Sequence, residues 1–435
     1  MMVLSRFWIL LLGLLLGPVA GPVASAAAGA AELTVYYPVA VSGQVAQAIQ
    51  AMNRDFAAAH PDVQVKAVFT GDYVTTKQRV MEMAGRPDGP QMMVGLSADL
   101  FAFIDHDLIM AFSDVAGGRE DYAWYNSFYP GFLKNSRWNR KVWSIPFQRS
   151  TIVLLYDKRA FAEAGLDPEH PPQTWAEMIE VAGRLTRRRP DGAVDRWGLT
   201  IPCDRDFAYW VFQALAAQNG VVLADEDGTA TNFDAPGAVE ALQLWLDLGR
   251  THKVMPAGFT SWRDAPADFL AGRSAMIWTS SGQFANIREK ADFPFGMAML
   301  PKGRSRGTPT GGGNLYLLKG ATPEQQQAAM AYARFISAPE RTAAFSISTG
   351  YVVTRMDGWQ APAMTEFIRG FPSIVEARNQ LAFAQAEFAV HRNDEVVAVL
   401  NSALADALEG RRRPAEALRD AQDKAAAILA PYRTR

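Results

Sequence analysis

The apolar run Ala275-Met276-Ile277-Trp278 stops abruptly at Thr279-Ser280-Ser281-Gly282. Apolar residues without alternation predict a strand covered on both faces. Its hydroxyl-rich end predicts an opening into a crevice, the place where open α/β sheets hold ligands. Hydroxyls there can take the oxygens of a solute, Trp278 offers a stacking surface, and a helix capped by Ser280 or Ser281 would itself attract an anion. Groups suited to bond breaking are scarcer. Cys203 is the single cysteine, which excludes an intramolecular disulfide and a cysteine zinc site. The five histidines (His60, His106, His170, His252 and His391) share no metal-binding spacing. There is no Gly-x-Ser-x-Gly elbow, and no carboxylate pair for glycoside cleavage stands out among 45 acidic residues. No metal and no cofactor are expected. A secreted hydrolase or lyase acting on a sugar or phosphodiester stays the alternative to a binding protein.

The elements that would position this crevice follow in order. Leu33–Tyr37, Val63–Phe69 and Gln91–Val94 are β-rich runs. Between them lie a helix with Val45, Ile49, Met52 and Phe56 on one face and a second helix over about 75–83. Strand–helix–strand–helix–strand predicts a doubly wound α/β half. Thr151–Tyr156 reads as a buried strand, and Asp157–Gly165 as a short helix ended by glycine. Thr174 and Glu177 form a capping box. Trp197–Ile201 reads as a strand, Phe207–Gln218, Gly237–Lys253 and Asp264–Ala271 as helices, and Phe293–Leu300 and Gly311–Leu318 as strands. The order suggests a second sheet, with 293–318 returning to the first. Helices start at Pro323 and Pro339, and Ala361–Tyr432 reads as helical throughout, with Leu418, Ala421, Ala425 and Ile428 on one face. Trp175 and Trp245 belong to the core. The tracts Arg187–Arg189 and Arg411–Arg413 read as solvated helix ends or loops.

With 435 residues and 49% hydrophobic content, the chain can bury a large core and suggests two or three domains. A formal charge of −2 with 20% charged residues is no polyanion-binding profile, so no nucleic-acid partner is expected. Residues 1–26 carry Arg6, the apolar stretch Phe7–Leu16, Gly-Pro breakers and an Ala24-Ser25-Ala26 exit, the layout of a secretory signal peptide. No cysteine lies near that exit, so the exported chain is expected in the periplasm, cleaved and not lipid-anchored. No later run reaches the ~18 apolar residues of a membrane span.

Several motifs together resemble the family 1 extracellular solute-binding proteins of ABC importers: Tyr156-Asp-Lys-Arg-Ala-Phe-Ala-Glu-Ala-Gly-Leu-Asp-Pro168, Pro171-Pro-Gln-Thr-Trp175, Phe269…Gly272…Ala275-Met276, Ser281-Gly282…Ala285-Asn-Ile-Arg-Glu289, Gly311-Gly312 and Thr349-Gly350-Tyr351. The resemblance is strongest to the glycerol-phosphate-binding branch. It implies an α/β, two-lobed periplasmic-binding-protein fold (type II) with an interlobe ligand cleft, a helical C-terminal region and closure by a hinge. It also implies lobes of 32–145 plus 295–345 and 146–294 plus 346–435, and a monomer that delivers a small-molecule solute to permease transmembrane subunits with their cytoplasmic ATPase. Carried over residue by residue, the pocket pattern matches Tyr73, Ser150, Ser280, Gly312 and Tyr351. Ser97, with Asp99 nearby, stands where the family places an acid. Asp206 stands near the place of an expected tryptophan, with Phe207 and Trp210 beside it. The family's late arginine has no counterpart at its place, Arg392 lying a few positions away, and Arg149 beside Ser150 can supply charge instead. The ligand therefore stays open among glycerol-3-phosphate, a glycerophosphodiester, a sugar and another polyol. A ligand sensor feeding a signalling partner has the same sequence features.

Overall fold

A computed structural model describes residues 31–39, 44–204 and 206–433. The signal-peptide expectation and most of the Pro38–Gly43 turn lie outside them. Seven strands carry the argument: β1 (Ala31–Tyr37), β2 (Val63–Phe69), β3 (Met92–Leu96), β4 (Ser144–Asp157), β5 (Met276–Ser280), β6 (Phe295–Ala298) and β7 (Thr308–Leu318). Among the described residues they belong to one nine-stranded mixed sheet in the order β5-β4-β7-β3-β1-β2, with β6 also on β4. The β1–β2 and β1–β3 pairs are parallel, as strand–helix–strand units require. The pairs of β7 with β3 and β4, and of β4 with β5 and β6, are antiparallel.

The expected second sheet is thus continuous with the first. The reason is β4, which is longer than the six residues the sequence suggested. Its first half pairs with β7 through Ser144–Thr151, and its second half pairs with β5 through Ile152–Tyr156. All 14 residues of β4 are buried, as a strand covered on both faces demands. At the edge, β2 alternates over Val63–Ala67 between buried or half-buried positions and the exposed Gln64 and Lys66, which blunts pairing with other chains.

The helices follow their sequence signals closely. Helix Val45–Ala59 buries Val45, Ile49, Met52 and Phe56, one per turn on a single face. Helix Pro323–Ile336 starts at the Thr322/Gln325 capping box, and helix Pro339–Thr349 ends at left-handed Gly350. Thr174 caps helix Trp175–Leu185 by accepting from Glu177 N–H at 3.2 Å, but the Glu177 carboxylate accepts from Gln173 N–H, so half of the expected box is displaced by one residue. Helix Ala208–Gln218 is buried all round, between β7 and the C-terminal pair Asn393–Leu408 and Pro414–Leu429. Trp245 is core; Trp175 is half-buried and donates from Nε1 to Gln218 Oε1 at 2.6 Å.

Four expectations change. Trp197–Ile201 is not a full strand: only Trp197 and Thr200 form bridges, to Ser274 just before β5 and to Ile277 within it. Arg187 and Arg188 are exposed just past the helix end at Thr186, as expected, but pair with 194–196 as a short hairpin. Tyr73 opens helix Tyr73–Met83 instead of standing in an exit loop, because Asp72 caps that helix through Thr75 N–H at 2.8 Å. The stretch 384–392 is not helical; Ala384 and Gln385 pair in parallel with Thr308 and Pro309, and the chain then runs without regular structure to Val390 and turns at His391 and left-handed Arg392.

The glycines Gly311–Gly313 lie inside β7 rather than in a loop. Gly312 has φ +90°, and a Cβ there would meet Gln148 O at 2.0 Å. Gly312→Ala should therefore destabilise the fold by about 2 kcal/mol or more, combining left-handed strain with the clash. Urea unfolding read by tryptophan fluorescence checks this, and a midpoint equal to wild type would contradict the geometry.

Candidate functional site

Where β4 and β7 cross, the sheet leaves a cleft of about 1050 Å³. Ser150, Gly312, Tyr351 and Glu387 lie at its floor; Ser150, Tyr351 and Glu387 are at most 4% exposed. One wall carries Val39, Asp72, Tyr73, Val74 and Leu96. The other carries Asp204, Asp206, Phe207, Trp210, the Ser261–Arg263 loop, Pro266 and Leu270, and Ser280 with Gln283, Asn286 and Lys290.

Absent side chains make the floor possible. A Cβ on Gly311 would meet Trp210 Cζ2 at 2.3 Å, and one on Gly313 would meet Tyr73 Oη at 2.8 Å. Both rings thus rest directly on the backbone of β7. Trp210 Nε1 donates to Thr310 O at 2.9 Å, and Tyr73 Oη donates to Gln148 Oε1 at 3.1 Å, which fixes each ring. Trp262 packs against Trp210 with centroids 5.2 Å apart at 38°. Together they form an aromatic corner suited to the flat face of a sugar or an alkyl chain. Tyr351 stacks on Phe345 at 5.9 Å and 8°. Burial pushes the Tyr351 phenol up to about 12, and the Tyr73 phenol well above its ordinary value, so both stay neutral donors at physiological pH.

The polar groups divide by charge. Asp72, Asp204, Asp206 and Glu387 bring carboxylates, whereas Arg263 and Lys290 are exposed cations. Burial raises the Asp204 carboxyl above its usual range, opposed by Phe207 N–H, which donates to it at 3.0 Å. Ser280 Oγ accepts from Gly282 N–H at 3.2 Å, so it caps the short turn Ser281–Gln283 while lining the cleft. Ser281 faces the other way and accepts from Thr151 N–H at 3.3 Å. Two polar atoms of the lining, Trp262 Nε1 and Gln283 Oε1, are buried without a hydrogen-bond partner among the described residues. Groups in that state are costly unless something binds them.

Six of the residues singled out from the sequence meet in this cleft: Tyr73, Ser150, Asp206, Ser280, Gly312 and Tyr351. Three do not line it. Ser97 is fully buried and donates to Glu387 Oε2 at 2.6 Å. Arg149 lies beneath the floor, since alternation along β4 turns it away from the face of Ser150. Its Nη2 donates to Thr310 Oγ1 at 2.8 Å, its Nη1 to Asn314 Oδ1 at 3.2 Å, and its guanidinium lies 5.2 Å from the Phe132 ring. Trp278 is completely buried in the main core cluster and offers no stacking face. Sequence reasoning missed Trp262, Asp204 and Glu387. The Phe259-Thr-Ser-Trp-Arg263 loop was a readable signal, an aromatic set among polar residues between helices. Glu387 carried none, because its stretch reads as helix.

The sequence pattern described as bacterial extracellular solute-binding protein matches residues 51–366. The chain is 26% identical over 409 residues, 90% of each chain, to the sn-glycerol-3-phosphate-binding periplasmic protein UgpB of Pectobacterium atrosepticum. It is 26% identical over 333 residues, 74% of each, to the Escherichia coli protein of that name. Among solved structures it resembles UgpB from Mycobacterium tuberculosis in complex with glycerophosphocholine, with TM-score 0.79 and 21% identity over 94% of this chain and 100% of that one. It also resembles the cyclic alpha-maltosyl-1,6-maltose binding protein from Arthrobacter globiformis, with TM-score 0.77 and 23% identity over 92% and 99%. The structural likeness shows a shared two-lobed α/β fold.

The two tryptophans give a direct test of the geometry. Trp262→Ala should leave the fold intact and weaken solute binding about tenfold, roughly 1.4 kcal/mol. Trp278→Ala should cost about 3–5 kcal/mol of stability, as for a large buried side chain. Calorimetric titration and urea unfolding of both variants separate them; a stable Trp278→Ala that has lost binding would put that ring in the cleft after all.

Proposed function

Because the chain belongs to the bacterial extracellular solute-binding proteins, we propose that its cleft captures an extended polyhydroxy solute, a glycerophosphodiester or an oligosaccharide, for uptake. Proteins of this family bind solutes for ABC importers and are not enzymes, and the relatives are periplasmic. Among the described residues no helix is long and apolar enough to cross a membrane.

One observation carries the choice of solute: the Trp210–Trp262 corner shares its wall with the carboxylates of Asp204 and Asp206, and Asp72 adds a third on the opposite wall. Aromatic faces with adjacent acceptors suit rings and chains of hydroxyl groups. A cleft of about 1050 Å³ lies at the upper end of ordinary ligand sites, roughly 300–1,000 Å³, and exceeds the needs of one glycerol phosphate. With four carboxylates against two exposed cations, it also favours a solute whose charge is low or confined to one end.

In this proposal Tyr73, Ser150, Asp206, Ser280, Gly312 and Tyr351 contact the solute, and Ser97 and Arg149 support the floor from behind. The lobes are 32–145 plus 295–345 and 146–294 plus 346–435. The core clusters support the outline of that division: one draws mainly on Leu33–Ile145 and Leu315–Phe345, the largest on Ile152–Trp278 and Phe388–Leu429, while at the seams Phe147 and Tyr351 pack with the former and Ala298 and Leu300 with the latter. The loaded protein, exported after loss of residues 1–26 and free of a lipid anchor, works as a monomer. It docks on the permease transmembrane subunits with their cytoplasmic ATPase.

A solute that binds only the folded protein raises its melting temperature by mass action. Glycerophosphocholine or maltotriose should raise it more than glycerol-3-phosphate at equal concentration. A larger shift with glycerol-3-phosphate, or none with any of the three, would overturn the solute class. X-ray scattering with the active solute should also show a smaller radius of gyration as the lobes close.

A further inference from the structure

Glu387 sits in the extended stretch between the last helices, where its peptide is held from both sides by one side chain. Its N–H donates to Asn135 Oδ1 at 2.7 Å, and Asn135 Nδ2 donates to Glu387 O at 2.8 Å. The carboxylate is directed to the cleft floor and is 4% exposed. Ser97 Oγ donates to Oε2 at 2.6 Å, and Tyr209 Oη reaches Oε1 only at 3.4 Å. A carboxylate has about four acceptor positions, so one strong and one long bond leave it under-coordinated. Arg149 does not form an ion pair with it; that guanidinium is bonded to Thr310 and Asn314. A buried carboxylate in this state needs further donors, and the cleft is the open side from which they can come.

We propose that Glu387 is a specificity-determining contact: its free acceptor positions take hydroxyl hydrogens of the solute, and its charge bars phosphate from the deep end of the cleft. A phosphodiester is thereby turned toward the mouth, where Arg263 and Lys290 are exposed. The inference rests on the solute class proposed above.

Burial pushes the Glu387 carboxyl up to about 7, opposed by Arg149, Ser97 and Tyr209 and reinforced by Asp99. The groups facing it are Arg149 on β4, Ser97 and Asp99 after β3, Tyr209 on helix Ala208–Gln218, Tyr73 on helix Tyr73–Met83 and Tyr316 on β7. Asp99 is itself paired with Lys77 at 3.1 Å, and burial holds all three phenols above their ordinary range. The ionised carboxylate is the stronger acceptor and the form that repels anions. Binding of a hydroxyl end should accordingly strengthen as pH rises through 7.

Calorimetric titrations of the full chain with glycerophosphocholine, maltotriose and glycerol-3-phosphate at pH 6 and pH 8 test this. Wild type should bind glycerophosphocholine more tightly at pH 8 than at pH 6. Glu387→Gln should weaken glycerophosphocholine and maltotriose about tenfold at pH 8, flatten the pH dependence and narrow their advantage over glycerol-3-phosphate. Ser97→Ala keeps the charge but removes a bond that favours it, so it should move the rise toward higher pH. Wild-type affinities and pH profile in Glu387→Gln overturn the inference and leave the solute class standing. Should Glu387→Gln fail to fold, an unchanged profile in Ser97→Ala overturns it equally. If wild type binds none of the three probes, the solute class falls and the inference with it.

Discussion

The contact on which the rest of this structure depends is the antiparallel crossing of β4 and β7 at three consecutive glycines. Opposite Gln148–Ser150, β7 presents bare backbone, and Trp210 and Tyr73 close onto it from the two sides. A side chain at Gly311 or Gly313 would drive the rings away. A strand ordinarily loses stability through glycine; here the loss is offset by two buried aromatic contacts, each tied by a hydrogen bond. The same crossing joins both halves of the sheet, so the feature that builds the cleft floor also holds the molecule together.

Beneath that floor lies a charge with no direct counter-ion. Arg149 is completely buried, its Nη atoms are bonded to neutral acceptors, and its Nε has no partner among the described residues. Removing a cation from water is expensive, and burial lowers the Arg149 pKa accordingly. Glu387 compensates through space from the cleft side. The two charges face each other across the layer of backbone that a solute touches, so a bound group lies within their shared field. This ties the behaviour of Glu387 to a residue that never meets the solute.

Much of the fold was legible because it rests on local rules. Val45, Ile49, Met52 and Phe56 announce their helix by spacing, and Pro323, Pro339 and Pro414 mark helix starts at the first helical position. What failed depended on distant partners. Trp197–Ile201 has strand composition, yet only two of its residues form β-bridges. Residues 384–392 have helix-forming composition but are pulled straight by β7 and Asn135. The site divides likewise. Ser280 was readable from the polar end of an apolar run, and Tyr73, Ser150 and Tyr351 from motifs. Trp278 and Arg149 were misplaced because strand alternation decides which neighbour faces the cleft, and β4 and β5 are buried on both faces, which hides that alternation.

The same crossing governs the order in which the molecule can be completed. The bonds that fix its floor join residues 161, 165 and 290 positions apart in the chain. Contacts at such separations form late, because a long loop must close before any of them is rewarded. The helices at either end can be made early, but the floor waits for β4, β7 and the stretch carrying Glu387 to arrive together. A chain short of that point has no floor and no binding site. Capture of solute is therefore a report of completed assembly.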